Sequence, residues 1–308
     1  MEKNSGMKLK LFSLWPPGNG QIPLVLFPLY IMRKLALYAA FSPPPGCDTP
    51  YLGPLYHNEL TGNKNKMIVP EIQSAIVSHF HKLGFNFIKF RTSPGQPDNR
   101  GFLWKGFMVR PQYEYEFAIN NKKDRLFQSF PGDTRTKIRR AQKYDELEFE
   151  FGGIENAVKV YTMVLERFRE QDINWPVKES FIRAIFKEFH PENIQVVLAK
   201  FNGEPVSGLI FFKYSNTLVD WIGGMSPRQN ISGLNELMHW KIIEWGQENN
   251  CTVYNLGGAN TPHLCKPKLK YNPELVLYSE VLKGSSIFEF MNKTATLPII
   301  RNLLHKFK

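Results

Sequence analysis

The second half of the chain has an element order that few folds accommodate: a strand, two helices, three strands, a helix and a returning strand. Residues 147–151 read as the opening strand, and apolar residues at helical spacing follow over 154–171 and 177–189. Residues 194–201 and 206–214 are apolar runs joined by Asn202-Gly203-Glu204, whose asparagine-glycine step tolerates positive φ and so predicts a hairpin. Residues 216–222 form a third strand, 232–249 a helix and 252–256 the return. Sequential strands closed by a helix and one more strand predict a mixed sheet covered by helices, an α/β (α+β) architecture.

The first half is less regular. Residues 22–41 are apolar enough to suggest a membrane span, but they contain Pro23, Pro28, Arg33 and Lys34, and a charged pair at mid-span is costly in lipid. The segment therefore reads as strands, with no transmembrane segment. The turn at 16–20 separates residues 9–15 from 22–32 as an early hairpin, and no compact apolar run followed by small residues suggests a signal peptide. A helix is expected over 67–83, strands over 85–90 and 113–119, and a basic helix over 132–143 with Asp133 as its cap.

Composition narrows the chemistry. A hydrophobic content of 43% in 308 residues supplies ample core, and a net charge of +11 favours anionic partners or a solvated basic surface. Cys47, Cys251 and Cys265 lack C-x-x-C spacing, which argues against a zinc site or disulfide framework and fits a reducing compartment. His79, His81 and His239 form no H-x-x-x-H pattern, so no metal is expected. Ser207-Gly208 and Ser232-Gly233 do not make G-x-S-x-G, and neither a Walker A nor a dinucleotide glycine fingerprint is present.

Four motifs fall in one order along nearly the whole chain. Residues 44–54 contain Pro50-Tyr51-Leu52-Gly53-Pro54. Arg135, Ile138, Arg139, Arg140 and Ala141 match R-x-x-I-R-K-A with Arg140 for the lysine. Tyr254-Asn255-Leu256-Gly257-Gly258 ends a strand, and Lys268-Leu269-Lys270-Tyr271-Asn272 follows it. Together with the element order, this set resembles the FemAB-like branch of the GNAT superfamily. The resemblance implies two related mixed-sheet domains with flanking helices, the first incomplete: a reduced GNAT-like domain over 1–131, a GNAT-like acyltransferase domain over 132–284 and a helical tail over 285–308.

The resemblance also implies roles. Lys268 matches the lysine lining the acyl-transfer site, where a cation stabilises the charge that builds on the carbonyl oxygen. Tyr254 and Asp220 are candidates to remove the acceptor's proton. Gly224, Arg228, Gln229, Ser232 and Gly233 surround the position of a phosphate-binding loop before a helix N-terminus, although the glycines are displaced from the usual R/Q-x-x-G-x-G/A pattern. Paired Gly257 and Gly258 allow a ligand close to the backbone. Asn255 replaces the family's aspartate and keeps a hydrogen-bonding role only. Arg135 and Arg139 share a helix face suited to phosphate, and Trp175 is a candidate wall for the acceptor. The alternatives for these residues are a helix-capping turn, a solvated basic helix and ordinary packing.

The expected function is N-acyl or aminoacyl transfer to an amine, with acyl-CoA or aminoacyl-tRNA as co-substrate and no tightly bound cofactor. The acceptor is a small molecule or cell-envelope precursor, tRNA and a peripheral membrane contact are candidate partners, and the cytoplasm is the expected location. The competing expectations are a catalytically silent GNAT-like protein and a nucleic-acid-binding module using the basic helix.

Overall fold

The computed structural model describes residues 1–16, 18, 21–34, 37–61, 66–96, 98–226 and 231–284. Two compact units divide the chain. One contains residues 2–45, 49–112 and 277 onward; the other contains Met1, residues 46–48 and residues 113–276. The boundary expected between 131 and 132 lies inside the second unit.

The first unit opens with α1 (Glu2–Ser5), β1 (Lys8–Leu14), β2 (Val25–Lys34), β3 (Leu37–Ser42), β4 (Leu55–Tyr56) and α2 (Asn58–Thr61). It continues with α3 (Ile68–Leu83), β5 (Phe87–Arg91), α4 (Arg100–Trp104) and the start of β6 (Met108–Ala118). β1 and β2 form the expected antiparallel hairpin, and the apolar segment that supplies β2 and β3 is strand rather than membrane helix. β3 runs parallel to β5, which pairs with the final strand through Glu280–Gly284. Phe27, Phe80, Phe90 and Phe102 form the centre of the core, with the Phe27 and Phe102 rings packed edge-on to Phe90. Such contacts add to the simple burial of aromatic area.

The second unit comprises α5 (Lys123–Ser129), α6 (Gly132–Ala141), β7 (Leu147–Phe151), α7 (Ile154–Glu170), α8 (Glu179–Phe189), β8 (Ile194–Phe201), β9 (Glu204–Tyr214) and β10 (Thr217–Met225). After these come α9 (Leu234–Glu248), β11 (Val253–Gly258), α10 (Pro262–Lys268), a 3₁₀ turn at Leu269–Tyr271 and β12 (Glu274–Gly284), whose later residues belong to the first unit. The predicted alternation from β7 to β11 is present. The sheet order is β6-β11-β10-β9-β8-β7, antiparallel except between β10 and β11. Phe201 pairs with Glu204 across Asn202 and Gly203, both at positive φ, as a tight hairpin requires.

Alternation along β8 sends Val196 and Leu198 into the core under α7 and α8, and Val197 into the core under α9. Helices therefore cover both faces of this sheet. α4, α5, α10 and β12 were not anticipated. Asp133 is not the cap of α6: Pro131 occupies that position, and the Asp133 carboxylate, in the first turn, accepts a hydrogen bond from Lys137 Nζ at 2.7 Å. The expected tail at 285–308 lies outside the described residues. Among the described residues no helix is long and apolar enough to cross a membrane.

α6 and α9 approach closely because Gly233, the residue that caps α9, has φ +85° and no side chain: a Cβ there would lie 2.2 Å from the Lys137 carbonyl oxygen. Gly233→Ala is expected to cost about 2 kcal/mol or more, from backbone strain and forced separation of the helices. Chemical denaturation measures the cost, and a loss below about 0.5 kcal/mol, typical of surface substitutions, would refute the close approach.

Candidate functional site

The parallel ladder between β10 and β11 contains three residue pairs, Thr217–Val219 against Val253–Asn255, although both strands continue. Irregularities mark the same level: β10 breaks register with β9 between Asp220 and Ile222, and β11 breaks register with β6 between Asn255 and Gly258. The sheet thus opens where Asp220 and the Gly257-Gly258 pair stand.

Asn255 shapes this break. Its side-chain oxygen accepts the Gly257 backbone N–H at 2.7 Å, and its amide donates to Glu114 Oε2 at 2.7 Å, with Asn255 and Glu114 both buried. An aspartate here would set one buried carboxylate against another, so the amide is the side chain this position needs. Gly257, at φ +73°, supplies the turn, and a Cβ on it would point within 3.6 Å of the Asp220 carbonyl oxygen and 3.9 Å of Lys268 Nζ. Lys268, from the end of α10, donates to the Gly258 carbonyl at 2.8 Å.

Behind the opening lies a chain of titratable groups. The Tyr254 hydroxyl donates to Asp220 Oδ1 at 2.6 Å and sits 2.8 Å from His239 Nδ1. His239 Nδ1 is also 3.7 Å from Asp220 Oδ2. Tyrosine has one proton, and it goes to Asp220; the hydrogen on the imidazole then belongs on Nδ1, pointing to the tyrosine oxygen.

Burial, only partly offset by the Tyr254 hydrogen bond and the Lys268 charge, raises the Asp220 carboxyl to about 7. Burial, with Lys268 adding to it, lowers His239 to about 4, so the imidazole is neutral at physiological pH. Burial also lowers Lys268, against the pull of Asp220, and drives Tyr254 and Tyr271 well above their ordinary range. A carboxyl near neutrality beside a cation in a desolvated opening can take up or deliver a proton at pH 7.

Of the residues singled out in the sequence, Asp220, Tyr254, Asn255, Gly257, Gly258 and Lys268 come together here. Others are engaged elsewhere. Trp175 packs on Tyr161 and Phe168 with ring centroids 5.4 Å apart in each pair. Arg135 donates to Gln128, and Arg139 lies over the Phe127 ring at 5.2 Å. Gly224 makes room for α7, since a Cβ there would be 2.8 Å from a Val164 methyl. Ser232 and Gly233 lead into α9, whose first turn carries buried Glu236, held by Lys270 at 2.7 Å and Lys137 at 3.9 Å. Arg228 and Gln229 lie outside the described residues.

Sequence reasoning missed His239, Glu114, Tyr271 and Glu236. No local pattern links His239, on a helix, to a tyrosine 15 residues later.

Residues 128–263 match the model of an acetyltransferase (GNAT) domain. No curated protein sequence matches the chain. Among solved structures, FemX aligns over 90% of this chain and 89% of its own, with a TM-score of 0.67 and 12% identity. The chain has a FemAB-like GNAT fold. The C-terminal domain of a proposed lysylphosphatidylglycerol synthetase from Agrobacterium fabrum aligns over 93% of this chain and 88% of its own, with a TM-score of 0.58 and 11% identity. A tandem GNAT protein from the clavulanic acid biosynthesis pathway aligns over 87% and 82%, with a TM-score of 0.53 and 10% identity. In this FemAB-like fold, the opening between β10 and β11 lies within the segment matched by the GNAT domain model.

The Asp220 carboxyl is held up despite its tyrosine, because the Tyr254 hydrogen bond favours the ionised form. Its raised value makes its contribution to stability complete below its ordinary 3.8 and lost as pH climbs through about 7. Tyr254→Phe removes the hydrogen bond, so the Asp220 titration should move further up, above about 7, and the loss of stability should extend to higher pH. Carboxyl ¹³C NMR on the folded variant reads this directly; a downward shift would refute the hydrogen-bond assignment.

Proposed function

We propose that the protein transfers an acyl or aminoacyl group from an activated ester or thioester to an amine, with the chemistry at the opening between β10 and β11. The observation that carries this reading is the convergence of Asp220, Tyr254, His239 and Lys268 where the ladder ends. The acceptor nitrogen attacks the carbonyl carbon, forming the C–N bond; the C–O or C–S bond of the donor breaks, and the nitrogen gives up a proton. Asp220, poised near neutrality, accepts that proton, while Tyr254 and His239 hold its carboxylate in place. The Lys268 ammonium faces the carbonyl oxygen as its negative charge grows, an interaction stronger in the transition state than in the substrate.

Acyl-CoA and aminoacyl-tRNA are the donors we favour, which makes the cytoplasm the site of action. The likeness to FemX and to a lysylphosphatidylglycerol synthetase domain favours an acceptor drawn from the cell envelope. We read the first unit as a reduced GNAT copy, in keeping with the likeness to a tandem GNAT protein.

Donor release in the presence of an amine panel, followed as free thiol from acyl-CoA or as deacylated tRNA, tests the assignment. Below about pH 7 turnover should rise roughly tenfold per unit and then level off, because the ionised form of Asp220 is the base. Asp220→Asn should abolish that dependence. Lys268→Ala should lower kcat by about 10² while leaving donor affinity nearly unchanged, as expected for a group acting on the transition state. Undiminished turnover in Lys268→Ala, or no transfer from either donor class, sinks the proposal.

A further inference from the structure

The hydroxyl of Tyr271, on the 3₁₀ turn that follows α10, makes no hydrogen bond to any described residue, although Tyr271 is only 2% exposed. Its ring is fixed by three neighbours: it stacks on Phe117 with centroids 6.0 Å apart, meets Phe130 edge-on at 5.5 Å and lies 5.2 Å from the His239 imidazole. Burial, reinforced by the charges of Glu236 and Asp220, holds the phenol well above its ordinary range, so the oxygen keeps its proton. A buried donor without an acceptor is destabilising, and native proteins rarely retain one unless something binds it.

His239 offers the matching acceptor. With the imidazole hydrogen on Nδ1, directed at the Tyr254 oxygen 2.8 Å away, Nε2 carries a lone pair and no proton. The tautomer of an imidazole is set by what each nitrogen meets, so this arrangement calls for a donor at Nε2. Glu236 stands three residues before His239 on the same face of α9, and its charge reaches both His239 and Tyr271. Its carboxylate is buried, with Lys270 at 2.7 Å and Lys137 at 3.9 Å from Oε1. One donor and two acceptors, all largely removed from solvent, thus gather between α9 and the 3₁₀ turn.

Such a set suits one internal water, which accepts one hydrogen bond and donates two. We propose that a single water molecule joins the Tyr271 hydroxyl, His239 Nε2 and the Glu236 carboxylate, and that Tyr271 is thereby a positioning residue for the transfer reaction. The water accepts a hydrogen bond from the tyrosine and donates one to Nε2 and one to the carboxylate, so each of the three partners is satisfied. A donor at Nε2 excludes a proton there and keeps the imidazole hydrogen on Nδ1.

The donors then run in one direction, from Tyr271 through the water and His239 to Tyr254 and on to Asp220 Oδ1. Aligned hydrogen bonds strengthen one another at low dielectric, and this row favours the ionised carboxylate that acts as base. The effect on catalysis rests on the reading of Asp220 as the base; the water site and the His239 tautomer do not.

Nitrogen-15 NMR of the whole protein with labelled histidine, at about pH 7 where His239 is neutral and with no acyl donor present, tests the site apart from the transferase reading. The His239 signals are identified by their loss in His239→Gln. In the unmodified protein His239 should be the Nδ1–H tautomer. Tyr271→Phe keeps the ring and removes only the hydroxyl; Nε2 then faces the acceptor Glu236 without a competing donor, and the Nε2–H form should become the major one. The variant should also unfold at a lower temperature, because the water loses a partner, whereas deletion of an idle buried hydroxyl would leave the midpoint unchanged or raise it. An Nε2–H tautomer in the unmodified protein, an unchanged tautomer in Tyr271→Phe, or a midpoint that does not fall overturns the proposal, and the first of these decides even if the variant fails to fold. Turnover is a separate readout: Tyr271→Phe should lower kcat several-fold with KM nearly unchanged, and an unchanged kcat removes Tyr271 from the reaction. No transfer by the unmodified protein would instead sink the transferase reading and leave the NMR result standing.

Discussion

A parallel ladder that stops after three pairs leaves backbone groups and two strand ends facing an opening, and the second unit is arranged around that break. Continuing β10 and β11 side by side would close the sheet. Asn255 prevents it by turning the chain at Gly257 and anchoring itself to the buried Glu114, and the turn brings the Gly258 carbonyl within reach of Lys268. Asn255 and Lys268 thereby bind the Gly257 N–H and the Gly258 carbonyl, two of the backbone groups that the break would otherwise leave without a ladder partner.

The same desolvation that makes buried polar groups costly tunes the chemistry. Asp220 is raised and His239 lowered by one cause, removal from water, acting on an acid and on a base. The pair is thereby brought to a state in which a neutral imidazole and a carboxyl near its midpoint flank one tyrosine. Lys268 adds a positive charge that limits how far the carboxyl rises. In the segment before α9, by contrast, the nearby lysines are committed: Lys137 to Asp133, and both Lys137 and Lys270 to Glu236. Those two lysines are partly neutralised there, whereas around Glu280 three cations meet a single carboxylate.

Much of the fold was legible because it depends on local pattern. Periodicity located β7 to β11 and the intervening helices, the asparagine-glycine step located the β8–β9 turn, and two prolines with a charged pair turned an apolar segment into strands. Short elements escaped: α4 and α10 span too few residues for a helical period to register. β12 follows the lysine-rich stretch 266–270, whose polar residues mask the start of a strand pattern. The site was legible in part. Lys268, Tyr254, Asp220 and the glycine pair were found through motifs and strand position, while Trp175 and Arg139, equally suggestive as residue types, pack against aromatic neighbours.

The sequence by itself determined the order of strands and helices and the residues that end β11, because hydrophobic period and turn chemistry act over a few neighbouring residues. Only the tertiary structure decided that His239 meets Tyr254, that Asn255 serves Glu114, and that Lys89, Arg91 and Arg110 share one carboxylate. Those contacts join residues up to 191 positions apart, from Lys89 to Glu280, and their energies depend on burial and distance, which a linear chain does not specify.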